Sequence, residues 1–308
     1  MDRCIIYCDT NASFVSVHQY LEGGVNKPCV VANGNVAGSG DAGSCLAISY
    51  EARGRGLTRG SSLLHAKKMI PSLVVYESCL PLYDIYAELY DQILEWIVPR
   101  ELFYRGSCDE VVICYERRKM PVYKDFRSMI AAVVPMLSAK CGVDIYFHLE
   151  QEKLEAIDLL PPSIQVILGL SYLLRETFLQ ILGLPISIGI APSICLAKAL
   201  IDVAKPQWVS GHRLYKTAHD AIAFPQNRED ANHFLRSRSL KDFCGVNTVA
   251  TRFIDQGYKT AGHVQDNCGL DDAIRVAKNK HLGEVLWYSV HGRDDVLPGY
   301  LSAIRDRK

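Results

Sequence analysis

The stretch Ser107-Cys-Asp-Glu-Val-Val-Ile-Cys-Tyr115 organises the rest of the chain. Two adjacent carboxylates, Asp109 and Glu110, stand directly before an apolar run rich in β-branched residues, which predicts a buried strand. A third carboxylate, Asp9, follows a second apolar run at 4–8 that is also typical of a strand. Adjacent acids at the entrance of a buried strand are unfavourable unless positive charge lies nearby. We therefore expect the three acids to meet in space and to hold divalent metal.

Acid pairs are common in turns, so a solvated hairpin turn is the alternative interpretation of Asp109-Glu110 taken alone. Three carboxylates at two strand ends are, however, the arrangement of two-metal phosphoryl-transfer sites, in which the ions lie about 3.5–4 Å apart. Carboxylate oxygens are the ligands that Mg²⁺ prefers. The pattern predicts two Mg²⁺ ions.

Composition sets the class of the protein. The 308 residues are 49% hydrophobic and 22% charged, which is ordinary for globular proteins and long enough for two or three domains. The 34 basic residues equal the 34 acidic ones, so any surface for nucleic acid must be local. Eleven cysteines without a Cys-x-x-Cys pair indicate reduced thiols and a cytoplasmic location, nuclear in a eukaryote. No apolar run reaches the length of a membrane span, so no membrane partner is expected.

The hydrophobic pattern predicts the elements of the fold. Strands are predicted over 4–8, 28–32, 45–50, 102–104, 111–115, 143–147 and 185–190. Helices are predicted to start after 10–13 and to cover 62–69, 82–97, 124–140, 164–182, 194–204, 234–242, 248–256 and 282–291. The helix over 82–97 has an apolar stripe that comprises Leu82, Ile85, Leu89, Ile93 and Trp96. A domain boundary is expected near Gln207, where apolar runs become rarer.

Residues Gly38 to Gly43 match G-x-G-x-x-G. A nicotinamide-dependent oxidoreductase would need a helix from Asp41 and an acid roughly 20 residues further on. The apolar segment 45–50 instead favours a returning strand, and the region beyond it is basic. We interpret the glycines as the loop of a β-hairpin.

Taken together, five stretches resemble the Y-family (translesion) DNA polymerases. They cover residues 4 to about 300 in the family's order. The matching stretches are Tyr7-Cys-Asp9-Thr-Asn11-Ala-Ser-Phe14-Val-Ser-Val17; Tyr50-Glu-Ala-Arg53 with Ala66-Lys67-Lys68-Met-Ile-Pro71; Ser107-Cys-Asp109-Glu110; Gly189-Ile-Ala-Pro-Ser-Ile-Cys-Leu-Ala197-Lys198 with Ala204-Lys205-Pro206; and Phe243-Cys-Gly245-Val-Asn247.

The resemblance implies roles for these positions. Asp9 and Asp109 would bridge both metals, Glu110 would bind the ion at the primer 3′-hydroxyl, and the Thr10 carbonyl would add a ligand. The nucleotide site would comprise Thr10, Asn11, Phe14, Tyr50, Arg53 and Lys205, with Phe14 excluding a ribose 2′-hydroxyl. Gly60 would leave an open roof over the templating base. The backbone at Gly245 and Asn247 would contact a DNA phosphate.

Three of these assignments have structural alternatives. Phe14 is also consistent with a core aromatic at the start of a helix. Lys205 is also consistent with a cation at a helix C-terminus before a proline. Tyr50 and Arg53 are also consistent with a packed aromatic–cation pair.

The implied fold is α+β, with a palm sheet that carries helices on one face, small α/β fingers and a helical thumb containing a helix–hairpin–helix. The implied palm covers 1–13 and 79–207 with an unusual insertion at about 117–160, the fingers cover 14–78 and the thumb 208–302. A little-finger domain is expected to be absent, because the sequence stops at Lys308 where that domain would begin. Weak DNA affinity is therefore expected.

The resemblance implies an error-prone, damage-tolerant DNA polymerase with primer–template DNA and dNTP as partners, together with a sliding clamp or another polymerase subunit. The alternative is a non-catalytic DNA-damage accessory protein that keeps the polymerase fold. Three acids are retained, which argues against the alternative because a scaffold has no use for converging carboxylates.

Overall fold

The computed structural model describes residues 3–33, 43–209, 212–217, 219–225, 227–243 and 247–293. Its strands are β1 (Arg3–Thr10), β2 (Cys29–Asn33), β3 (Ser44–Ile48), β4 (Val74–Glu77), β5 (Phe103–Arg105), β6 (Glu110–Glu116), β7 (Ile186–Ala191), β8 (Gln207–Val209), β9 (His212–Leu214) and β10 (Ile222–Ala223). Its helices are α1 (Ser13–Leu21), α2 (Tyr50–Arg53), α3 (Leu63–Met69), α4 (Leu80–Ile97), α5 (Phe126–Cys141), α6 (Gln151–Asp158), α7 (Pro162–Leu182), α8 (Ile194–Ala204), α9 (Arg228–Arg236), α10 (Asn247–Asp255), α11 (Ala261–Asn267), α12 (Leu270–Ala277) and α13 (Lys280–Val290). This mixture confirms the predicted α+β class.

The main sheet of the described residues has the strand order β10-β7-β1-β6-β5. The central strand β1 runs antiparallel to both β6 and β7, and β10 runs parallel to β7. The run Cys4 to Cys8 is apolar on both sides of the pleat because both faces of β1 are buried. None of the helices in the described ranges combines the length and the hydrophobicity that a membrane span requires.

Alternate residues of β1 enter two different cores, as the pleat of a strand requires. Ile6 and Cys8 pack in the core that α4, α5 and α7 cover. Ile5 and Tyr7 pack in a second core formed with α8 and the C-terminal helices. The expected helical layer is therefore present on one face, and α8 lies against the other.

A second sheet of the described residues has the order β3-β2-β4. β3 begins at Ser44 and runs antiparallel to β2, so a strand follows the glycine-rich segment, as the hairpin interpretation predicts. Residues 34–42, including Asp41, lie outside the described ranges. A dinucleotide site needs a helix directly after its glycines, and the strand at Ser44 removes that interpretation.

The segment after residue 117 is mostly helical. α5 and α6 pack against α7, and Pro135 lies inside α5. The strand predicted over 143–147 is wrong, because this stretch has no regular structure. Its apolar residues Ile145 and Phe147 pack on the helical core without pairing to a neighbouring strand.

Two further predictions need correction. The helix predicted over 234–242 is wrong in its bounds, since α9 ends at Arg236 and Ser239 caps a separate 3₁₀ turn over 240–242. The stripe predicted for α4 is offset, because Ile85 is 54% exposed whereas Tyr83 and Tyr90 are buried. Gly245 lies outside the described residues, and Asn247 begins α10.

Candidate active site

Asp9 and Glu110 face each other across two neighbouring strands. They are direct partners in the antiparallel register of β1 and β6, and strand alternation places both on the face covered by α8. Directly opposed residues of a sheet have Cβ atoms roughly 4.5–5.5 Å apart, and like charges in such a pair repel. Positive charge on this face is therefore required.

Two lysines from the α8 region supply that charge. Nζ of Lys205 lies 2.9 Å from Oδ1 of Asp9. Nζ of Lys198 lies 2.8 Å and 3.1 Å from the two carboxylate oxygens of Glu110, and the Tyr7 hydroxyl donates to Oε2 of Glu110 at 2.9 Å. Lys198 lies in the fourth matching stretch but is not among the predicted site residues. The signal that could have found it is its separation of seven residues from Lys205, which corresponds to two helical turns on one face.

The third acid, Asp109, lies in the turn between β5 and β6. Its side chain accepts a hydrogen bond from Oγ of Ser107, and its carbonyl accepts one from the Thr10 amide at 2.8 Å. Arg105 holds this turn in place by donating to the carbonyls of Ser107 and Cys108, at 3.3 Å and 3.1 Å. The turn that carries Asp109 is thus tied to the end of β1, next to Asp9.

Burial dominates the electrostatics of Asp9, which is only 9% exposed. Desolvation raises the pKa of its carboxyl from 3.8 to about 6; Lys205 opposes this shift, and the charges of Asp109 and Glu110 add to it. Burial therefore outweighs the contact with Lys205 in setting the pKa of Asp9.

The neighbouring polar groups of β1 continue into the predicted nucleotide site. Oδ1 of Asn11 accepts hydrogen bonds from the Tyr50 hydroxyl at 3.3 Å and from Oγ of Ser187 at 2.9 Å. Among the described residues, the Thr10 hydroxyl and the Asn11 amide nitrogen are buried without a hydrogen-bond partner. Unpaired buried polar atoms are uncommon and mark this strand end as a place to look for a ligand.

Tyr50 and Arg53 lie at the two ends of the short helix α2, which Ser49 caps by accepting from the amide of Ala52. The guanidinium of Arg53 lies 4.9 Å from the centroid of the Tyr50 ring, and its Nε donates to the Ile48 carbonyl at 3.0 Å. The two residues therefore form the packed aromatic–cation pair of the alternative interpretation. They nevertheless line the same cavity as the acids.

Phe14 lies in the first turn of α1, directly after the Asp9–Ser13 segment. Its ring stacks on Tyr83 with a centroid distance of 4.0 Å and an interplanar angle of 11°. Nε2 of His18 lies 3.0 Å from the Tyr83 hydroxyl. Phe14 is thus fixed by an aromatic partner and remains partly exposed.

One cavity of about 630 Å³ joins these groups. It is lined by Asp9, Thr10, Ala12, Ile48, Tyr50, Arg53, Leu57, Thr58, Arg59, Asp109, Glu110 and Lys205. Gly60 follows the lining residue Arg59 and has φ +82°, and a Cβ built on it would contact nothing within 4 Å. There is therefore open space around Gly60, next to the cavity-lining residue Arg59.

Comparisons with known proteins agree with this arrangement. The sequence model of the impB/mucB/samB family matches residues 8–202. The chain belongs to this family. The resemblance to Y-family polymerases that the motifs carry is thereby confirmed.

Two proteins similar to part of this chain are DNA polymerases IV. DNA polymerase IV of Dehalococcoides mccartyi is 36% identical over 97 residues, which make up 32% of this chain and 24% of that protein. DNA polymerase IV of Moorella thermoacetica is 36% identical over 95 residues, 30% of this chain and 22% of that protein. The chain thus matches less than a quarter of the length of these curated relatives.

Solved structures show the same fold at low identity. An insertion ternary complex of Dbh DNA polymerase has a TM-score of 0.61 and 15% identity, covering 94% of this chain and 67% of that chain. DinB from Sulfolobus solfataricus has a TM-score of 0.56 and 17% identity, covering 93% of this chain and 66% of that chain. The impB/mucB/samB chain described here therefore has the fold of a Y-family polymerase core.

The donor set of this impB/mucB/samB chain fits a divalent cation in its chemistry. Three carboxylates line one cavity, and two of them are each paired with a lysine ammonium. Across the described residues, no three His, Cys, Asp or Glu side chains are already grouped around a point where an ion could sit. A metal ion here would therefore compete with Lys198 and Lys205 for Glu110 and Asp9.

Proposed function

We propose that this protein is a template-directed DNA polymerase of the translesion type, which transfers a nucleotide from dNTP to a primer 3′-hydroxyl with low fidelity. The observation that carries the proposal is the convergence of Asp9, Asp109 and Glu110 on one cavity with Tyr50, Arg53 and Lys205. The carboxylates come from two strands about a hundred residues apart in sequence. Neither a solvated turn nor a scaffold explains why the three carboxylates share a cavity with Tyr50, Arg53 and Lys205.

The domain assignment is part of the proposal. The main sheet, four of whose five strands lie within 1–13 and 79–207, would be the palm, and the smaller sheet within 14–78 the fingers. The fifth strand, β10, lies beyond 207 and pairs with β7 at the edge of the main sheet. Residues 208–302 would be the thumb, with the segment that contains Gly245 and Asn247 offering amides to a DNA phosphate. Helices α5 and α6 of the insertion at about 117–160 pack against α7. They would therefore extend the helical layer of the palm.

Asp9, the Thr10 carbonyl, Asp109 and Glu110 are the groups that would hold two Mg²⁺ ions. When bound, the ions lower the pKa of the primer 3′-hydroxyl and neutralise charge on the triphosphate. In the free protein, Lys198 and Lys205 neutralise part of the carboxylate charge. Both lysines would have to release their carboxylates when the ions bind.

The cationic side of the cavity would bind the triphosphate. The guanidinium of Arg53 is a planar donor fork that matches phosphate oxygens, and Lys205, which lines the same cavity, adds a point charge. The hydroxyl of Tyr50 already donates a hydrogen bond to Asn11, and Tyr50 also lines the cavity. These three side chains orient the triphosphate toward the carboxylates.

Selection of the substrate would depend on two positions. Phe14, held in place by its stack on Tyr83, would fill the space of a ribose 2′-hydroxyl and so favour dNTP. Gly60 would leave room above the templating base, which permits damaged templates and lowers fidelity. Both effects follow from shape, because neither residue provides an ionisable group.

Primer extension with Mg²⁺ tests the proposal. At micromolar primer–template, the wild-type protein should add nucleotides, and Asp109→Ala should lower the rate by about 10³-fold, a typical loss for a main electrostatic group. Asp271→Ala, an exposed acid in α12, is the matched control and should keep the wild-type rate. Equal and negligible extension by wild type and Asp109→Ala would refute catalysis and favour the accessory-protein alternative.

A further inference from the structure

An aromatic residue that was not predicted as part of the site, Trp208, contacts the segment that follows Arg53. Trp208 lies on β8, three residues after Lys205, and its ring packs against Gly54, the residue that follows Arg53. A Cβ built on Gly54 would lie 2.5 Å from Cδ1 and 2.9 Å from Cβ of Trp208. Such distances do not occur between real side chains, so the contact requires glycine at this position.

The backbone at Gly54 does not itself require glycine. Its φ of −63° and ψ of −17° lie in the right-handed helical region, where alanine is unstrained. The amide of Gly54 also donates to the Tyr50 carbonyl at 2.8 Å, as the last turn of α2 requires. The three nearest atoms that a side chain at residue 54 would meet all belong to Trp208, and this makes the contact separable from backbone strain.

The contact has a defined place in the site. α2 carries Tyr50 and Arg53, whereas Lys205 ends α8 and pairs with Asp9. Trp208 also packs against the hydrophobic cluster to which Tyr50 belongs. The side chain of Trp208 thus connects two segments. One is helix α2, which carries the predicted triphosphate-binding residues Tyr50 and Arg53, and the other is the segment that carries Lys205.

We propose that Trp208 is a positioning residue, which fixes Arg53 and Tyr50 relative to Lys205 before the nucleotide arrives. The inference rests on the proposed function, since it concerns nucleotide binding by the same cavity. Groups that are already in place lose less conformational freedom on binding, so their alignment strengthens binding. Loss of Trp208 should therefore weaken dNTP binding and leave the chemical step nearly unchanged.

Steady-state primer extension with varied dNTP tests this inference. Trp208→Ala and Gly54→Ala should each raise KM for dNTP by about tenfold, which corresponds to about 1.4 kcal/mol, and should change kcat by less than about twofold. In the double variant, Gly54→Ala should add nothing to the effect of Trp208→Ala, because the side chain that it would collide with is gone. This non-additivity is the signature of a direct contact.

Two controls separate positioning from general stability. The first is Trp96→Ala. Trp96 is a residue of α4 that does not line the cavity, and its ring lies 5.7 Å from Nζ of Lys140. Its loss should lower Tm without raising KM. Trp208→Phe keeps a ring against Gly54 and should restore most of the affinity. If Trp208→Ala is too unstable to assay, the KM of Gly54→Ala alone decides.

The outcomes distinguish the inference from the proposed function. If wild type extends primers and Trp208→Ala and Gly54→Ala keep its KM, the positioning role is refuted and the polymerase assignment stands. If the effects of the two variants add, the contact is not their shared cause, and the inference fails. If wild type does not extend primers at all, the proposed function fails first.

Discussion

Lys205 and Asp9 form an ion pair at the end of β1, with Nζ 2.9 Å from Oδ1, at the place where the carboxylates call for a cation. Lys198 does the same for Glu110 at 2.8 Å. The two lysines thus act as built-in counter-ions of an acidic cavity. This relationship decides how the free protein should respond to mutation, to pH and to metal.

Removal of Lys198 should make the stability of the protein depend on divalent cation. Lys198→Ala leaves Glu110 opposite Asp9 without its partner and should lower the free energy of unfolding by about 1–2 kcal/mol in EDTA, since the pair is only partly buried. Millimolar Mg²⁺ should recover most of the loss. Urea unfolding with and without Mg²⁺ measures both effects.

The matched control is Lys119→Ala, which breaks an exposed pair with Glu116 whose atoms are also 2.8 Å apart. It should cost less than about 0.5 kcal/mol and show no response to Mg²⁺. If Mg²⁺ changes the free energy of unfolding equally in wild type, Lys198→Ala and Lys119→Ala, the ion does not take the place of the Lys198 ammonium.

The pKa of Asp9, raised to about 6 by burial, predicts a pH dependence of stability in EDTA. The folded protein holds the Asp9 proton more tightly than the unfolded chain, so stability from this group is lost as pH rises from about 4 to about 6. Asp9→Asn removes the titration, and its stability relative to wild type should rise by on the order of 2–3 kcal/mol across that range. Denaturant unfolding at a series of pH values checks this, and parallel curves for the two proteins would contradict it.

Arg105 should matter for both the fold and the rate, because it holds the turn that carries Asp109. Besides the carbonyls of the turn, its guanidinium binds Asp91 at 2.7 Å and the Ala87 carbonyl at 2.6 Å. Arg105→Ala should destabilise the protein by about 2 kcal/mol and lower kcat more than it raises KM for dNTP. Arg105→Lys should rescue little, since an ammonium lacks the donor fork.

Arg100→Ala is the comparison for this prediction. Arg100 is an arginine of the same region whose side chain is 58% exposed and pairs with Glu95 at 3.3 Å. Its loss should cost less than about 1 kcal/mol and leave kcat unchanged. Similar losses for Arg105→Ala and Arg100→Ala would show that the turn needs no anchor.

Sugar selection should depend on the stack between Phe14 and Tyr83. Phe14→Ala should raise incorporation of ribonucleotides relative to deoxyribonucleotides by at least about tenfold, because it vacates the space for a 2′-hydroxyl. Tyr83→Leu removes the partner ring and should have a smaller effect in the same direction. Competition between rNTP and dNTP on one primer measures the ratio, and an unchanged ratio in Phe14→Ala would exclude it as the gate.

Much of the fold was accessible from the sequence because the central strands are buried on both faces. Runs such as Cys4 to Cys8 and Val111 to Tyr115 read as continuous apolar segments, and their ends placed Asp9 and Glu110. The hydrophobic pattern is insufficient where contacts with distant segments determine the structure. The stretch 143–147 has strand-like residues but no strand to pair with, and α4 buries Tyr83 and Tyr90, which an aliphatic stripe overlooks.

The carboxylates, the α2 residues and Lys205 are accessible from the sequence as candidate site residues, whereas Lys198 is not among them. Lys198 shares a helix face with Lys205, and its spacing alone could have flagged it. Arg105 and Trp208 act through contacts between segments distant in sequence, and no local pattern encodes such contacts. Gly54 shows the same limit, since its requirement for glycine arises from Trp208 and not from its own backbone.

Anomalous diffraction from crystals of the full chain with Mn²⁺ and a non-hydrolysable dNTP tests the central claim most directly. Mn²⁺ takes the same oxygen ligands as Mg²⁺ and can be located by its own scattering. The account predicts anomalous density among Asp9, Asp109 and Glu110, with Lys205 moved from Asp9 to the triphosphate. Bound nucleotide without anomalous density at these carboxylates, and with Lys205 still paired to Asp9, would contradict it.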